Sequence, residues 1–169
     1  MKKILLLLGI LTLSSCTKNE EDILNSVHYD NFVNLSIKNN LGEDLLDPNH
    51  TSTIDLSTIK VFHIINGVKT LFIDNRYTYF KKGFKIYKHD GYGHNIIVIK
   101  INPSVTEAKP KTIVEWNSSD EDVIETTYRI KDNLFPVLKE EIWLNDISVW
   151  KIADEANSNT TYKFFTLTK

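Results

Sequence analysis

Residues 59–73 read IKVFHII-NG-VKTLFI, and this stretch decides the fold class. Two runs rich in β-branched and aromatic residues flank Asn66-Gly67, a pair that tolerates the two positive φ angles of a type I′ hairpin turn. A two-residue loop sets the register, with Ile65 opposite Val68, His63 opposite Thr70 and Val61 opposite Phe72. Those residues share one face, while Phe62, Ile64, Leu71 and Ile73 share the other. Both faces are largely apolar, which predicts a central pair of strands in a sandwich.

The same period of two runs outward from the hairpin. Val33, Leu35 and Ile37 alternate with Asn34, Ser36 and Lys38, as in a strand with one buried face. Further strands are predicted at Phe84–Lys88, Asn95–Ile101, Thr112–Trp116, Val123–Lys131, Glu140–Leu144, Ile147–Lys151 and Thr161–Thr168, with Ile97, Ile99 and Ile101 forming an apolar stripe. Turn formers separate them, among them Asp90-Gly91-Tyr92-Gly93, Asn102-Pro103 and Asn145-Asp146. Beyond the first residues only Asp154–Ser158 admits a helical period. The expected fold is an all-β, antiparallel β-sandwich of roughly eight to nine strands over residues 31–169. The pattern suits an immunoglobulin-like and a transthyretin-like topology equally.

Ahead of this domain, residues 1–16 read MKKILLLLGILTLSSC. Lys2 and Lys3 precede the uncharged apolar run Ile4–Leu13, about half of the roughly 20 residues a spanning helix needs. A basic start, a short apolar core and small residues after it describe a cleaved signal peptide. Leu13-Ser14-Ser15-Cys16 resembles the lipobox of bacterial lipoproteins. That resemblance implies cleavage between Ser15 and Cys16, a diacylglyceryl group on the Cys16 thiol, and acylation of the new amine. Each buried methylene adds about 0.8 kcal/mol, so two or three chains anchor the protein to the lipid bilayer without a spanning segment. Residues 16–30 then read as a lipidated polar tether. Within it Lys18, Glu20, Glu21 and Asp22 are similar to the Lys-plus-acidic signal that sends Bacteroidota lipoproteins to the cell surface, although Asn19 interrupts it. The expected location is the outer membrane, with the cell surface favoured over the periplasmic face.

Without residues 1–15 the chain keeps 18 basic and 22 acidic side chains, a net charge of −4. That total argues against nucleic acid as a partner. Cys16 is the only cysteine, so no disulfide staples the domain and packing must hold it. Eight Phe, seven Tyr and three Trp supply bulk for that core.

Catalytic patterns are sparse. There is no Gly-x-Ser-x-Gly elbow, and the mature domain has no thiol nucleophile. The histidines His28, His50, His63, His89 and His94 lack the His-x-x-x-His spacing of a zinc helix. His89 and His94 bracket one tight loop, read here as a polar hairpin tip; His63 reads as a hydrogen-bonded sheet residue. Two oxygen-rich loops, Asp44/Asp47/Asn49 and Ser118–Asp122, lack the spacing of a calcium loop and read as solvated turns. No cofactor and no metal ligand set is expected.

The aromatics remain. Trp116, Trp143 and Trp150, with Tyr77, Tyr79, Tyr87 and Tyr92, include residues able to make a flat platform for sugar rings. Trp143 and Tyr92 are the chosen candidates, Trp143 because it points away from Ile142 and Leu144. The segments Glu115-Trp116-Asn117, Asp120-Glu121-Asp122 and Ile142–Asp146 resemble those of small Bacteroidota lipoproteins with immunoglobulin-like sandwiches, a resemblance that implies a fold and no activity. The expected function is a non-catalytic envelope module that binds a protein or glycan partner. The alternative is a glycan-acting enzyme using a pair of surface carboxylates.

Overall fold

The computed structural model describes residues 31–76, 78–131, 135–152 and 164–169. Its ten strands are β1 (Phe32–Lys38), β2 (Lys60–Ile65), β3 (Val68–Leu71), β4 (Phe84–Lys88), β5 (Asn95–Lys100), β6 (Lys111–Asn117), β7 (Asp120–Lys131), β8 (Phe135–Leu144), β9 (Ile147–Lys151) and β10 (Phe165–Thr168). They form a four-stranded sheet, in the order β10-β1-β5-β4, and a six-stranded sheet, in the order β3-β2-β6-β7-β8-β9. The all-β sandwich is therefore present, with more strands than the eight to nine expected. The residues with a helical period, Asp154–Ser158, lie outside the described residues, as do the first three residues of the predicted last strand.

The hairpin has the register its sequence dictates. Ile65 pairs with Val68, His63 with Thr70, and Asn66 and Gly67 take φ values of 51° and 79°. The Phe72 amide donates to the Val61 carbonyl at 2.8 Å, extending the pairing beyond β3. Its position is not central, however. β2 pairs with β6 on its other side, while β3 is the edge of the six-stranded sheet and all four of its residues are exposed. Apolar residues on both faces reflected β2, whose inward Val61 and His63 are buried, and not β3.

Antiparallel pairing also has one exception, since β10 runs parallel to β1 with Leu35 opposite Phe165 and Ile37 opposite Leu167. Two parallel neighbours need a long crossover, and here nearly the whole domain supplies it. β5, at the centre of this sheet, is buried on both faces: Ile97 and Ile99 point into the core, and Ile96 and Val98 are buried opposite them. Its run Ile96–Ile99 is continuously apolar, the pattern of a strand buried on both sides.

The core lies between the sheets. Val33, Leu35, Ile37, Ile97, Ile99 and Leu167 meet Val61, Val114, Trp116, Ile124, Ile142 and Leu144. Burying each large aliphatic side chain contributes roughly 1.5–3 kcal/mol relative to exposure, so this layer dominates stability in a domain without disulfides. One polar knot is set into it. The β6–β7 ladder shifts between Glu115 and Asn117, leaving Trp116 as the extra residue. Trp116 is fully buried and its Nε1 donates to Asp122 Oδ2 at 2.5 Å. Asn145 Nδ2 donates to Asp122 Oδ1 at 2.6 Å, and the Lys169 ammonium reaches Asp122 at 2.5 Å and Asp120 at 2.6 Å. The Lys169 amide meanwhile donates to the Lys38 carbonyl, so one residue joins the two sheets.

Breaking one partner of a buried ion pair is strongly destabilising because the other charge stays behind. Asp122→Ala is expected to lower unfolding stability by about 3–5 kcal/mol in urea titration. Asp122→Asn, which retains an acceptor for the indole, should lose less. A loss under about 1 kcal/mol for the alanine variant would show that the knot does not hold the sheets together.

Candidate aromatic groove and its surroundings

The anchor and export residues, Ser15, Cys16, Lys18, Glu20, Glu21 and Asp22, lie outside the described residues. The chain's entry into the domain is well defined. The Asn31 carbonyl accepts the Ile101 amide at 2.8 Å, and Lys139 Nζ donates to the Phe32 carbonyl at 2.5 Å.

The two aromatics chosen as a platform are not brought together. Trp143 alternates with the buried Ile142 and Leu144, so it projects from the outer face of the six-stranded sheet as its spacing predicts. Lys109 Nζ lies 3.8 Å from its ring centroid and also pairs with Glu125 at 3.0 Å. A sugar stacking on that ring face must displace the ammonium. Tyr92 lies in the turn between β4 and β5, in the other sheet, with His89 and Phe164 rings at 4.6 and 4.8 Å. Trp116 belongs to the core.

The candidate metal loops spend their oxygens on protein donors. Asp120 and Asp122 take Lys169, Glu121 takes Lys69 at 2.8 Å, and Asp44 Oδ2 accepts both the amide and the side chain of Asn95. Asp47 Oδ1 accepts the amide and side chain of Asn49. Among the described residues no group of three His, Cys, Asp or Glu side chains is placed to hold a metal ion. His89 Nδ1 accepts the Gly91 amide at 3.2 Å, while His94 Nδ1 bonds the Tyr92 carbonyl, so each ring is used in shaping its own turn. His63 is a sheet residue: buried, its Nε2 bonds the Lys100 carbonyl at 3.0 Å and its ring packs on Phe72.

The open aromatic surface lies elsewhere. Arg76, Thr78, Tyr79, Phe80 and Lys85 line a groove of about 480 Å³ between the β3–β4 connection and β4. Tyr79 is 85% exposed, and Phe80 packs on Phe32 with ring centroids 5.0 Å apart. Lys85 lies over the Phe80 ring at 4.9 Å. Arg76 is held at the rim by the buried Asp74, which accepts its backbone amide, Nε and Nη2 at 2.8–3.0 Å. That guanidinium, with burial opposing and Lys100 assisting, holds the Asp74 carboxyl well below the usual carboxylate range. Gly83 closes the loop at φ +82°, where an added Cβ would lie 2.9 Å from Phe72 Cδ1 and 3.0 Å from Val61 Cβ. Tyr79 was legible as one aromatic among several. The cations around it were not, because the chain's acidic total conceals a local run in which Arg76, Lys81, Lys82, Lys85 and Lys88 occur with no acidic residue between them.

A glycosidase acid must hold its proton near neutral pH, which requires a raised carboxyl pKa. The described carboxyls with a definite shift move the other way. Burial opposes ionisation of Glu125, but Lys111 and Lys109 outweigh it and lower its pKa. For Glu141 burial is likewise outweighed by Ser148 and Lys151.

Two outcomes are expected. Gly83→Ala combines a left-handed backbone with overpacking and should cost roughly 2–4 kcal/mol in chemical denaturation; an unchanged midpoint would show that the loop relaxes freely. Burial lowers the folded pKa of His63, the Lys100 carbonyl partly offsetting it and the Lys100 charge adding to it. The unfolded chain therefore takes up the proton first, and stability falls as pH drops below the unfolded value of roughly 6.5. The stability difference between wild type and His63→Gln should shrink from pH 7.5 to pH 5. A pH-independent difference would refute this assignment.

Comparison of the chain with protein-family models, with curated proteins and with solved structures finds no match in any of the three.

Proposed function

We propose that this chain is a lipid-anchored lipoprotein of the cell envelope whose β-sandwich, of immunoglobulin-like or transthyretin-like type, is a non-catalytic binding or accessory module for a protein or glycan. Cys16 carries the lipid, and the outer membrane, on its cell-surface side, is the proposed location. The observation that carries the binding reading is the groove of Arg76, Thr78, Tyr79, Phe80 and Lys85. An exposed tyrosine gives contact area at little cost in side-chain entropy, and flanking cations supply directional donors. Trp143 is a poorer platform because Lys109 covers its ring. With lowered carboxyl pKa values, Glu125 and Glu141 are poorly suited to be the proton donor of the glycan-acting alternative.

Metabolic labelling with a radioactive fatty acid tests the anchor: wild type should incorporate label and Cys16→Ala should not. An unlabelled wild-type protein would overturn it. Screening the protein against protein and glycan panels tests the module, with Tyr79→Ala expected to weaken any hit by about tenfold. Polysaccharide turnover that is lost on replacing Glu125 or Glu141 would establish the enzyme instead.

A further inference from the structure

We infer that the cationic and aromatic surface around the Tyr79 groove docks on the anionic, phosphate-bearing head groups of the membrane that carries the anchor. The inference rests on the lipoprotein reading of Cys16 and goes beyond the protein or glycan reading of the groove, assigning its surface to the carrying membrane instead.

Charge is the first ground. Most described lysines outside this region are matched: Lys60, Lys69, Lys109, Lys111, Lys151 and Lys169 each lie within 4.0 Å of a carboxylate. Lys81, Lys82 and Lys85 are exposed and have no carboxylate partner among the described residues. Arg76 joins them at the rim, paired with Asp74 and with its side chain 81% exposed. A single-signed patch on an otherwise acidic domain implies an acidic partner.

Position is the second. The groove is built on the point where the tether enters the fold, since Phe80 packs against Phe32, the first residue of β1. Fourteen residues lie between Cys16 and Asn31, at most about 54 Å of extended chain, so an anchored domain stays within reach of its own bilayer. Tethering makes docking intramolecular, at an effective concentration near the millimolar range, and a modest patch then suffices.

The lining chemistry favours head groups over a soluble glycan. Among the described lining residues, Thr78 and Tyr79 carry the only hydroxyls, and the rest is aromatic surface and cation, with no carboxylate or amide to read sugar stereochemistry. Tyrosine and lysine are the side chains that place an apolar stem at a membrane interface while the polar tip stays wet. Attraction of each cation fades over a Debye length of about 10 Å, so docking must weaken with salt.

The test uses full-length lipidated protein in two kinds of vesicle, phosphatidylcholine alone and phosphatidylcholine with phosphatidylglycerol. Lysine acetylation is followed residue by residue by mass spectrometry. Lys81 and Lys82 should react on the order of fivefold more slowly on anionic vesicles, and 0.5 M salt should remove the difference. Lys60 and Lys151, in the other sheet, should react equally on both. Lys81→Glu with Lys82→Glu, both on exposed positions, should abolish the protection of Lys85. Equal rates on the two vesicles would overturn the docking while leaving the anchor intact. Stronger protection by a soluble acidic polysaccharide than by anionic vesicles would overturn it in favour of a glycan ligand. Protein that fails to float with either vesicle would overturn the anchored reading, and the inference with it.

Discussion

One buried carboxylate organises much of this molecule. Asp122 accepts the Trp116 indole N–H, the Asn145 amide and the Lys169 ammonium, and each donor comes from a different part of the chain. Taking a carboxylate out of water costs several kcal/mol, and that cost is offset only where geometry and number of partners are right. Here the requirement fixes three things together: the bulge that turns Trp116 inward, the Asn145-Asp146 turn whose residues take φ of 50° and 65°, and the last described strand beside β1. Apolar burial supplies most of the free energy, but a hydrophobic layer tolerates sliding. The carboxylate does not, because moving any donor away leaves a charge without a partner.

The outer face of the six-stranded sheet follows a different logic. Lys109 and Lys111 converge on Glu125, Lys151 reaches Glu141, and Lys69 bridges Glu115 and Glu121. Their lysines are partly exposed, and the pairs on the more open Glu115 and Glu121 are worth little singly, whereas Glu125 is buried between its two lysines. Together the lysines engage these carboxylates, and Lys109 also lies over the half-buried ring of Trp143. At the Tyr79 groove, by contrast, Arg76 is paired with Asp74 while Lys85 has no carboxylate partner among the described residues.

Local sequence determined what local geometry could determine. The register of residues 59–73 was legible because a two-residue Asn-Gly loop permits only one alignment, and β4 and β9 began and ended where their turn residues placed them. Whether the hairpin was central or peripheral depended on β6, some fifty residues later, which no local pattern encodes. The acidic loop at residues 120–122 read as a solvated turn because its counter-charge, Lys169, is remote in sequence, whereas Asp122 is buried against it. Trp143 was preferred to Tyr79 because alternation along the strand turned it away from Ile142 and Leu144. Only the fold placed Lys109 over one ring and left the other open to solvent.

The parallel pairing of β10 with β1 has a temporal consequence. Leu35 finds Phe165 and Ile37 finds Leu167 only after the 130 positions that separate each pair have been made, so one edge of the four-stranded sheet closes late. Contacts so distant along the chain close slowly, because the entropy of the intervening loop is lost before any pairing repays it. A growing polypeptide therefore makes β2 to β9 without the strand that covers one flank of β1. Until that strand appears β1 keeps one unpaired edge, so completion of this sheet is timed by its most distant partner along the chain.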